Sequence, residues 1–518
     1  MNALKMTKSG ISKEQLPRNL VSNIANFLVS VVIGILLVPF FISTLGVAAY
    51  GVIPLATSLS GYVGLLIDSL NSAVSRFLTV DLQREDYSKA NKTFNTAFFA
   101  ISGIILIMVP VVALLSFFAP AIFNVPSGQG TETILLFLGV SSAFLIRSWS
   151  ANFTVSLFAY NRLDLLKIIN ILNNVIQILM IILFFSLFGP SLALVGLAYL
   201  IGSVSASVLA IILSYRINPH LIINIHDFDQ SRLHELFGMG GWVVVNQIGA
   251  LFFHSTSLII VNMIFGATSA GEYAIALQWV TLLYAIAGTL AGVLTPIVLT
   301  FYARGQTESL IRVTKSAVKL MGLSMALPIG LICGFAPDLL TVWVGKEFYF
   351  LALLMIVLTG HLAINLSVIP LFSINIAYNR VKIPGILTLI LGIGNLLLAI
   401  ILSLYTGLGY YGVAIAVAIV LTFKNAFFTP WYATRVLGVP ANTFNRAMLP
   451  GVIATIIIAI CAYIISMVLH MTGVASLILA GAVIAVVYMI ALWPIGLDRF
   501  ERDLFSSYLP MSIRRYIR

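Results

Sequence analysis

Two cationic side chains lie inside long hydrophobic stretches of the sequence, where a charge needs either a partner or a function. Arg147 lies about 15 Å, by helical rise, from the polar end of its stretch, and Lys424 lies closer to the end of a later one. A charge near the centre of a bilayer costs about 2.5–3.5 kcal/mol on insertion scales. A guanidinium contacts phosphate oxygens bidentately and an ammonium acts as a point charge, so the two cations suit an anionic ligand such as a phosphate or diphosphate.

Each cation also has a structural interpretation, which the sequence leaves open. Asp68, in an earlier hydrophobic stretch, is expected at a depth similar to that of Arg147, and the two side chains can form a buried ion pair. Lys424 is close enough to the boundary for its aliphatic stem to extend to the membrane surface. His254 and His361 are isolated in hydrophobic stretches, where a histidine is more often a hydrogen-bonded core residue.

Uncharged polar side chains form two stripes at helical spacing. One lies in the first hydrophobic stretch and the other in a stretch after residue 237: Asn19, Asn23, Asn26 and Ser30; Asn246, His254 and Ser257. Residues spaced by three and four positions share one face of a helix. A polar face is costly against lipid, so each stripe is expected to line a water-filled cleft or to form hydrogen bonds with other helices.

The composition places these residues in a membrane protein. The chain has 518 residues, of which 60% are hydrophobic and 9% charged, and its mean hydropathy is +1.07. A soluble domain is usually about 25% charged, so this chain is too poor in charge to cover itself for water. The hydrophobic stretches are continuous rather than alternating, which argues against a transmembrane β-barrel. The sequence therefore predicts an all-α integral membrane protein.

Several function classes find no support in the sequence. The net charge of +11 comes from basic residues scattered through short loops, without a basic domain for nucleic acid. Cys333 and Cys461 lie in hydrophobic stretches and indicate neither a metal site nor a redox motif. The GxxxxGK[ST] phosphate loop is missing, and the predicted external loops are too short for a catalytic domain. We therefore expect a protein that is not an enzyme and needs no cofactor.

Hydrophobic stretches long enough to span a bilayer recur about fourteen times. The predicted helices cover residues 19–44, 50–74, 94–118, 132–157, 166–187, 191–214, 238–265, 273–300, 316–336, 350–373, 384–405, 411–431, 449–470 and 474–496. With the N-terminus inside, all 28 lysines and arginines except Arg147, Lys424 and Lys346 lie in cytoplasmic segments or in the helix ends that border them. This bias predicts a multi-pass protein of the cell (inner) membrane with both termini in the cytoplasm.

The chain also contains an internal repeat with a spacing of about 220 residues. The tetrapeptide AYNR occurs at Ala159–Arg162 and Ala377–Arg380, and the tripeptide FAP at Phe118–Pro120 and Phe335–Pro337. Weaker matches keep the same order: Asn26 with Asn246, Gly46 with Gly266, Thr79 with Thr300, Ser186 with Ser403, and Gly196 with Gly412. The first six predicted helices are therefore expected to repeat as the next six.

The repeat predicts the domain organisation. The expected segments are a cytoplasmic N-terminal tail (1–18), an N-lobe (19–215), a cytoplasmic linker (216–237), a C-lobe (238–435), two further helices (436–496) and a cytoplasmic C-terminal tail (497–518). A six-helix unit begins and ends on one side of the membrane, so its copy has the same orientation. The lobes are then related by a pseudo-twofold axis along the membrane normal, and transporters with such halves bind substrate between them.

Four segments resemble a known family of membrane proteins. LGVAAYG from Leu45 and LLIDSLNSAVSR ending at Arg76 resemble the opening of Wzx-type polysaccharide (O-antigen) flippases. AYNRLDLLKIIN from Ala159 and LTVWVGKEF from Leu340 are similar to the same family. That family belongs to the multidrug/oligosaccharidyl-lipid/polysaccharide (MOP) exporter superfamily, and the resemblance extends over nearly the whole chain.

The resemblance implies a function for the buried charges. Such proteins have fourteen helices in two lobes and move undecaprenyl-diphosphate-linked, or other polyprenyl-linked, oligosaccharides from the cytoplasmic to the outer leaflet by alternating access. Cations in a central cavity engage the headgroup. Two groups of residues carry the expected roles: Arg147, Lys424, Asn26, Asn246, His254 and His361 for substrate binding; Asp68 and Arg76 for structure or coupling. Membrane lipid and a polysaccharide polymerase are candidate partners, and a Na⁺ or H⁺ gradient is a candidate driving force.

Three alternatives remain beside this interpretation. A lipid II flippase has a similar substrate, and the sequence does not separate the two. A multidrug and toxin extrusion (MATE-type) exporter coupled to Na⁺ or H⁺ resembles the chain in outline. Such exporters use buried acids in the first or seventh helix, whereas residues 19–44 and 238–265 contain no Asp or Glu. A non-transporting scaffold for wall synthesis leaves the buried charges unexplained.

Overall fold

The computed structural model describes residues 15–469, 471, 473–498 and 501–502, which are predominantly helical and include no strand. The helices of the first half are α1 (Gln15–Leu45), α2 (Val47–Gln83), α3 (Tyr87–Ile122), α4 (Gly130–Ala159), α5 (Leu163–Phe188) and α6 (Leu192–Ile217). The next are α7 (Gln230–His254), α8 (Thr256–Ala303), α9 (Thr307–Gly334), α10 (Ala336–Trp343), α11 (Ala352–Gly360), α12 (Leu362–Ser367) and α13 (Ile369–Ala377). The last are α14 (Lys382–Tyr405), α15 (Tyr411–Phe423), α16 (Thr429–Leu437), α17 (Thr443–Leu469) and α18 (Val474–Ala491).

The number of membrane crossings agrees with the prediction. Within the residues that the structure describes, twelve segments are long and hydrophobic enough to span a bilayer, and one of them, Val244–Gly292, has 49 residues. Inside it Gly266 leaves the helical conformation, with φ 90° and ψ 177°. A straight helix of that length extends about 74 Å, whereas a bilayer core is about 30 Å thick. Dividing this segment at Gly266 and adding α2 accounts for about fourteen crossings, so the fold is all-α and integral to the membrane.

Two predicted helices are interrupted at positions that hydropathy does not mark. The predicted helix 350–373 consists of α11, α12 and α13, which meet at His361 and Val368. Pro370 explains the second break, since a proline is tolerated in the first turn of a helix but not in its interior. The predicted helix 411–431 contains a π-helical turn at Lys424–Phe428, between α15 and α16.

Several helix ends at repeat-equivalent positions share their backbone geometry. The asparagines of the two AYNR sequences have a left-handed backbone conformation, with φ 56° at Asn161 and 53° at Asn379. Each asparagine N–H donates to the carbonyl three residues earlier, and the following arginine N–H donates to the carbonyl five residues earlier. Gly46 and Gly266 also match, with φ 84° and 90° and ψ 162° and 177°. The two halves therefore share turn geometry as well as sequence.

One repeated turn has no sequence signature. Glu85, after α2, and Gly305, after α8, both have left-handed backbones, with φ 58° and 66°. Each is followed by a residue whose N–H donates to the carbonyl five positions earlier. Asp86 then accepts a hydrogen bond from the N–H of Lys89 at 3.1 Å, which caps α3 and lowers the pKa of Asp86. The two turns therefore have the same backbone conformation although their residues differ.

The described helices form two compact units. Unit 1 consists of Met1–Ala274 and Gly385–Val413, and unit 2 of Ile275–Pro384 and Ala414–Arg518. These units are defined by contacts, whereas the predicted segments are defined by the sequence repeat. The predicted domain boundaries therefore stay a prediction.

Glycines allow close helix packing inside each unit. A Cβ atom added at Gly139 would lie 2.5 Å from the backbone of Gly196, where α4 meets α6 in unit 1. A Cβ atom at Gly451 would lie 2.6 Å from the backbone of Gly322, where α17 meets α9 in unit 2. Small residues at helix contacts are the usual basis of helix association in lipid.

The segment between α6 and α7 is fixed to the rest of unit 1. The side-chain amides of Asn91 and Asn95 each donate at 2.8 Å to a backbone carbonyl of this segment. At the start of α7, Nη2 of Arg232 lies 2.7 Å from a carboxylate oxygen of Asp81, and its guanidinium lies over the ring of Phe77. These contacts set where α7 begins.

A buried ion pair fixes the C-terminal part of unit 2. Nζ of Lys319, on α9, lies 2.7 Å from Oε2 of Glu501, whose side chain is 1% exposed. The same carboxylate oxygen accepts the backbone N–H of Asp498 at 2.9 Å. The lysine thus balances a carboxylate that has almost no access to solvent.

Candidate functional site

Arg147 is held in unit 1 by a neutral partner. Its Nη2 donates to Oδ1 of Asn170 at 2.5 Å, which joins α4 to α5. No ion pair links this arginine to a carboxylate in the described part of the chain. The side chain of Asp68 lies outside the described residues, so the Asp68–Arg147 pair stays a prediction. A guanidinium bonded to an amide keeps its full charge and most of its donors.

The partner of Arg147 belongs to a polar face of α5 that we did not predict. Asn170, Asn173, Asn174 and Gln177 are spaced by three and four residues and share this face. Asn173 accepts a hydrogen bond from the Ser203 hydroxyl on α6 at 3.3 Å and donates to Asn174 at 3.2 Å. The same spacing marks the stripe on α1, so the signal was present in the sequence.

Two asparagines of the stripe on α1 differ in whether their side-chain oxygen accepts a hydrogen bond within the described chain. Asn19 is 6% exposed, donates to the carbonyl of Asn161 at 3.1 Å and accepts the N–H of Asp164 at 3.0 Å. It therefore fixes the turn between α4 and α5. Oδ1 of Asn26 is buried and accepts no hydrogen bond from the described chain. A buried acceptor without a donor is costly, so this oxygen is available to a donor on a ligand or water.

Asn26 and Asn246, two other predicted site residues of unit 1, form no hydrogen bond with Arg147 among the residues described. Asn246, on α7, and Arg76, on α2, are exposed. The side chain of His254 lies outside the described residues.

Lys424, in unit 2, is enclosed by protein. It is 9% exposed, and its Nζ lies 5.7 Å from the centroid of the Phe372 ring, in a cation–π contact. None of the carboxylates that the structure describes forms an ion pair with it. Lys424 begins the π-helical turn, and both it and the adjacent Asn425 are buried. Such turns are rare and often occur at functional sites.

Neutral polar side chains form a hydrogen-bonded group beside Lys424, which we call the amide cluster: His361, Asn365, Thr422, Asn425 and Thr429. Nδ2 of Asn425 donates to Oδ1 of Asn365 at 3.0 Å, and Asn425 accepts the Thr429 hydroxyl at 3.0 Å. Nδ2 of Asn365 lies 3.2 Å from the Thr422 hydroxyl and 2.6 Å from Nδ1 of His361. The structure therefore brings His361 and the residue after Lys424 into one network, although only His361 and Lys424 were predicted.

The chemistry of both sites suits an anion. Arg147 in unit 1 donates to the neutral Asn170, and Lys424 in unit 2 contacts the Phe372 ring, so no carboxylate of the described residues cancels either charge through an ion pair. The described residues include no group of three or more His, Cys, Asp or Glu side chains that would hold a metal ion. These arrangements can bind and position a charged ligand.

Sequence comparison identifies related proteins over most of the chain. Residues 16–301 match the family described as "Polysaccharide biosynthesis protein". The "Uncharacterized membrane protein EpsK" of Bacillus subtilis (strain 168) is 33% identical over 486 residues, which cover 94% of this chain and 96% of that protein.

Solved structures share the fold at lower identity. The lipid II flippase MurJ in an inward closed conformation has a TM-score of 0.63 and 17% identity, covering 95% of this chain and 100% of that chain. An inward-facing multidrug resistance MATE family transporter of the MOP superfamily has a TM-score of 0.61 and 16% identity, covering 81% and 98%. At these identities the likeness concerns the fold. Together with the family match, the relative at 33% identity shows that this chain belongs to the polysaccharide biosynthesis protein family.

Proposed function

We propose that this protein is a flippase for polyprenyl-diphosphate-linked oligosaccharide units of an O-antigen, a capsule or an exopolysaccharide. It moves them from the cytoplasmic to the outer leaflet of the cell (inner) membrane by alternating access. The observation that carries the proposal is that Arg147 and Lys424 lie in hydrophobic helices with neutral partners. Charges that are retained in such places usually serve a ligand or a transport path.

A lipid diphosphate loses much of its hydration when it enters a membrane protein. Fixed cations replace part of that hydration because their attraction is stronger where water is scarce. Arg147 is oriented by Asn170 and supplies several donors in a plane. Lys424 supplies a compact charge beside the amide cluster, whose hydroxyl and amide groups suit sugar hydroxyls.

The remaining parts of the proposal rest on the resemblance and on the charge distribution. The carrier is undecaprenyl diphosphate, and a Na⁺ or H⁺ gradient drives transport without catalysis by the protein. A polysaccharide polymerase is the proposed partner, and both termini lie in the cytoplasm. Arg147, Lys424, Asn26, Asn246, His254 and His361 contact substrate, and Asp68 and Arg76 serve structure or coupling.

A lipid II flippase is the second candidate, favoured by the MurJ fold. Lipid II also has a diphosphate between its lipid and its sugar, so the two cations suit either substrate. A flippase-null strain for each pathway separates them. We expect restored surface polysaccharide in the first strain and no rescue of growth in a strain depleted of its lipid II flippase; the reverse pattern assigns the chain to lipid II.

Predicted helices 1 and 7 contain no acidic residues, which argues against export of cationic drugs. MATE-type exporters of cationic drugs use buried carboxylates in these helices, and residues 19–44 and 238–265 contain no Asp or Glu. We therefore expect expression in a pump-deficient host to leave resistance to ethidium and norfloxacin unchanged, as measured by minimum inhibitory concentration. A clear rise at verified membrane abundance would support a MATE-type exporter.

Lys424 is expected to contribute less than Arg147, because an ammonium makes fewer directed contacts with phosphate. Lys424→Ala should lower export of polysaccharide several-fold, and Lys424→Arg should retain most of it. Surface polysaccharide in the flippase-null strain, normalised to membrane abundance, measures both variants. Lys382→Ala, at an exposed lysine of unit 2, is the matched control. Equal export by Lys424→Ala and the unchanged protein would show that this charge is not used.

A further inference from the structure

A cavity lined by both polar and hydrophobic side chains lies in unit 2, and Lys424 is not part of its lining. Its volume is about 820 Å³, within the range of about 300–1,000 Å³ that is usual for small-molecule sites. Its wall is formed by α10, the 3-10 turn at Lys346–Leu351, the end of α17 and the start of α18. None of the residues predicted to bind substrate lines it.

The side chains of this cavity combine polar groups with aromatic rings. Asp338 accepts a hydrogen bond from the Ser466 hydroxyl, which fixes the carboxylate to α17. Lys346 is exposed and forms no ion pair with a carboxylate among the residues described. Tyr349 and Tyr463 also line the cavity and are 59% and 51% exposed.

This combination matches the surface of a sugar. A pyranose ring has hydrophobic C–H faces and a rim of hydroxyls, and tyrosine offers both a ring face and a polar tip. An ionised carboxylate such as that of Asp338 accepts hydroxyl donors, and a lysine donates to an acidic substituent. The unpaired Lys346 therefore favours a sugar that bears a carboxylate.

The predicted position of Lys346 indicates on which side of the membrane the cavity lies. It is the one lysine or arginine that the charge pattern places outside, and it lies in LTVWVGKEF, a segment by which the chain resembles the flippases. The cavity is thus expected to open toward the side at which the glycan leaves.

We propose that this cavity is a second carbohydrate site, which binds acidic sugar residues of the glycan on the outer face. The ligand identity rests on the proposed function, whereas binding itself does not depend on transport. The site gives the translocated unit a place to be held outside the transport path, and its ligand class is an oligosaccharide with a uronic acid.

Binding to the purified full chain in nanodiscs tests the proposal. Trigalacturonic acid is the acidic probe, maltotriose the neutral probe and inorganic diphosphate the control for a simple anion site. We expect trigalacturonic acid to bind more tightly than maltotriose, and Lys346→Ala to weaken the acidic probe at least tenfold while changing the neutral one little. Tyr463→Ala should weaken both probes, and Tyr405→Ala, at a tyrosine that is 80% exposed and outside the cavity, should change neither.

The outcomes decide between this inference and the proposed function. Arg147→Ala should lose export and keep its affinity for trigalacturonic acid, since Arg147 is not part of this cavity. Unchanged thermal stability of Lys346→Ala and Tyr463→Ala shows that the variants are folded. Failure of both trisaccharides to bind, equal affinity in all variants, or binding of diphosphate alone would overturn the second site. If the protein binds trigalacturonic acid but restores no surface polysaccharide, the proposed flippase function is contradicted and the carbohydrate site is supported.

Discussion

Arg147→Glu is expected to abolish export of polysaccharide in a flippase-null strain, Arg147→Ala to lose most of it, and Arg147→Lys to keep part of it. The order follows from charge and geometry: lysine keeps the cation but not the bidentate contact, alanine removes both, and glutamate repels a diphosphate. Surface polysaccharide per unit of protein in the membrane is the measurement. Complementation by Arg147→Glu at normal abundance would contradict a role for this charge in transport.

Two comparisons separate substrate binding from structure. Arg216→Glu, at an exposed arginine at the end of α6, makes the same change of charge and should leave export unchanged. Asn170→Ala removes the partner of Arg147 and should lower export less than Arg147→Ala does, since the cation remains. If Asp68 instead pairs with Arg147, removing either residue leaves the other charge buried without a partner. The free energy of unfolding then typically falls by about 3–5 kcal/mol, and protein abundance in the membrane falls with it. A loss of export that merely follows abundance would then favour the structural pair.

Lys319→Met is expected to have the largest effect on stability. It leaves the carboxylate of Glu501, 1% exposed, without its cation at 2.7 Å. Breaking a buried pair by removing one partner typically costs about 3–5 kcal/mol, because the other charge remains unbalanced. We expect a clearly lower midpoint of thermal unfolding for the purified protein in detergent.

The same helix supplies the control for this prediction. Lys315 lies one turn earlier on α9 and is exposed, so Lys315→Met should shift the midpoint little. The double variant Lys319→Met with Glu501→Met removes both charges and should recover most of the lost stability. Equal midpoints for Lys319→Met and Lys315→Met would show that the buried pair contributes nothing.

The all-α fold could be predicted from the sequence because a bilayer restricts the secondary structures that a chain can form. Every backbone N–H and C=O in hydrocarbon needs a partner within the protein, so hydrophobic stretches of sufficient length become helices. The repeat added the turns at Asn161 and Asn379, whose residues are identical. It did not reveal the equivalent turns at Glu85 and Gly305, because unrelated side chains adopt one left-handed conformation there.

The partners of the cations were less accessible to sequence reasoning. Arg147 and Lys424 stand out because a charge in a hydrophobic stretch is rare. In sequence, Asn170 and Asn365 are ordinary polar residues, and only the packing of the helices brings Asn170 to Arg147 and Asn365 to Asn425, the neighbour of Lys424. The π-helical turn at Lys424 depends on one hydrogen-bond register, which hydropathy averaged over a helix cannot detect.

The amide cluster also marks where the two halves of the chain have diverged. The spacing of the two AYNR sequences aligns Arg147 with Asn365, the centre of the cluster, and the spacing of Gly196 and Gly412 aligns Lys424 with Val208. Arg147 and Lys424 therefore lie at positions that the repeat does not relate to each other, on the fourth predicted helix of the first half and on the sixth of the second. Two identical halves would offer a ligand two equivalent sites. Under the proposed function, this difference allows each half to contact a different part of the ligand.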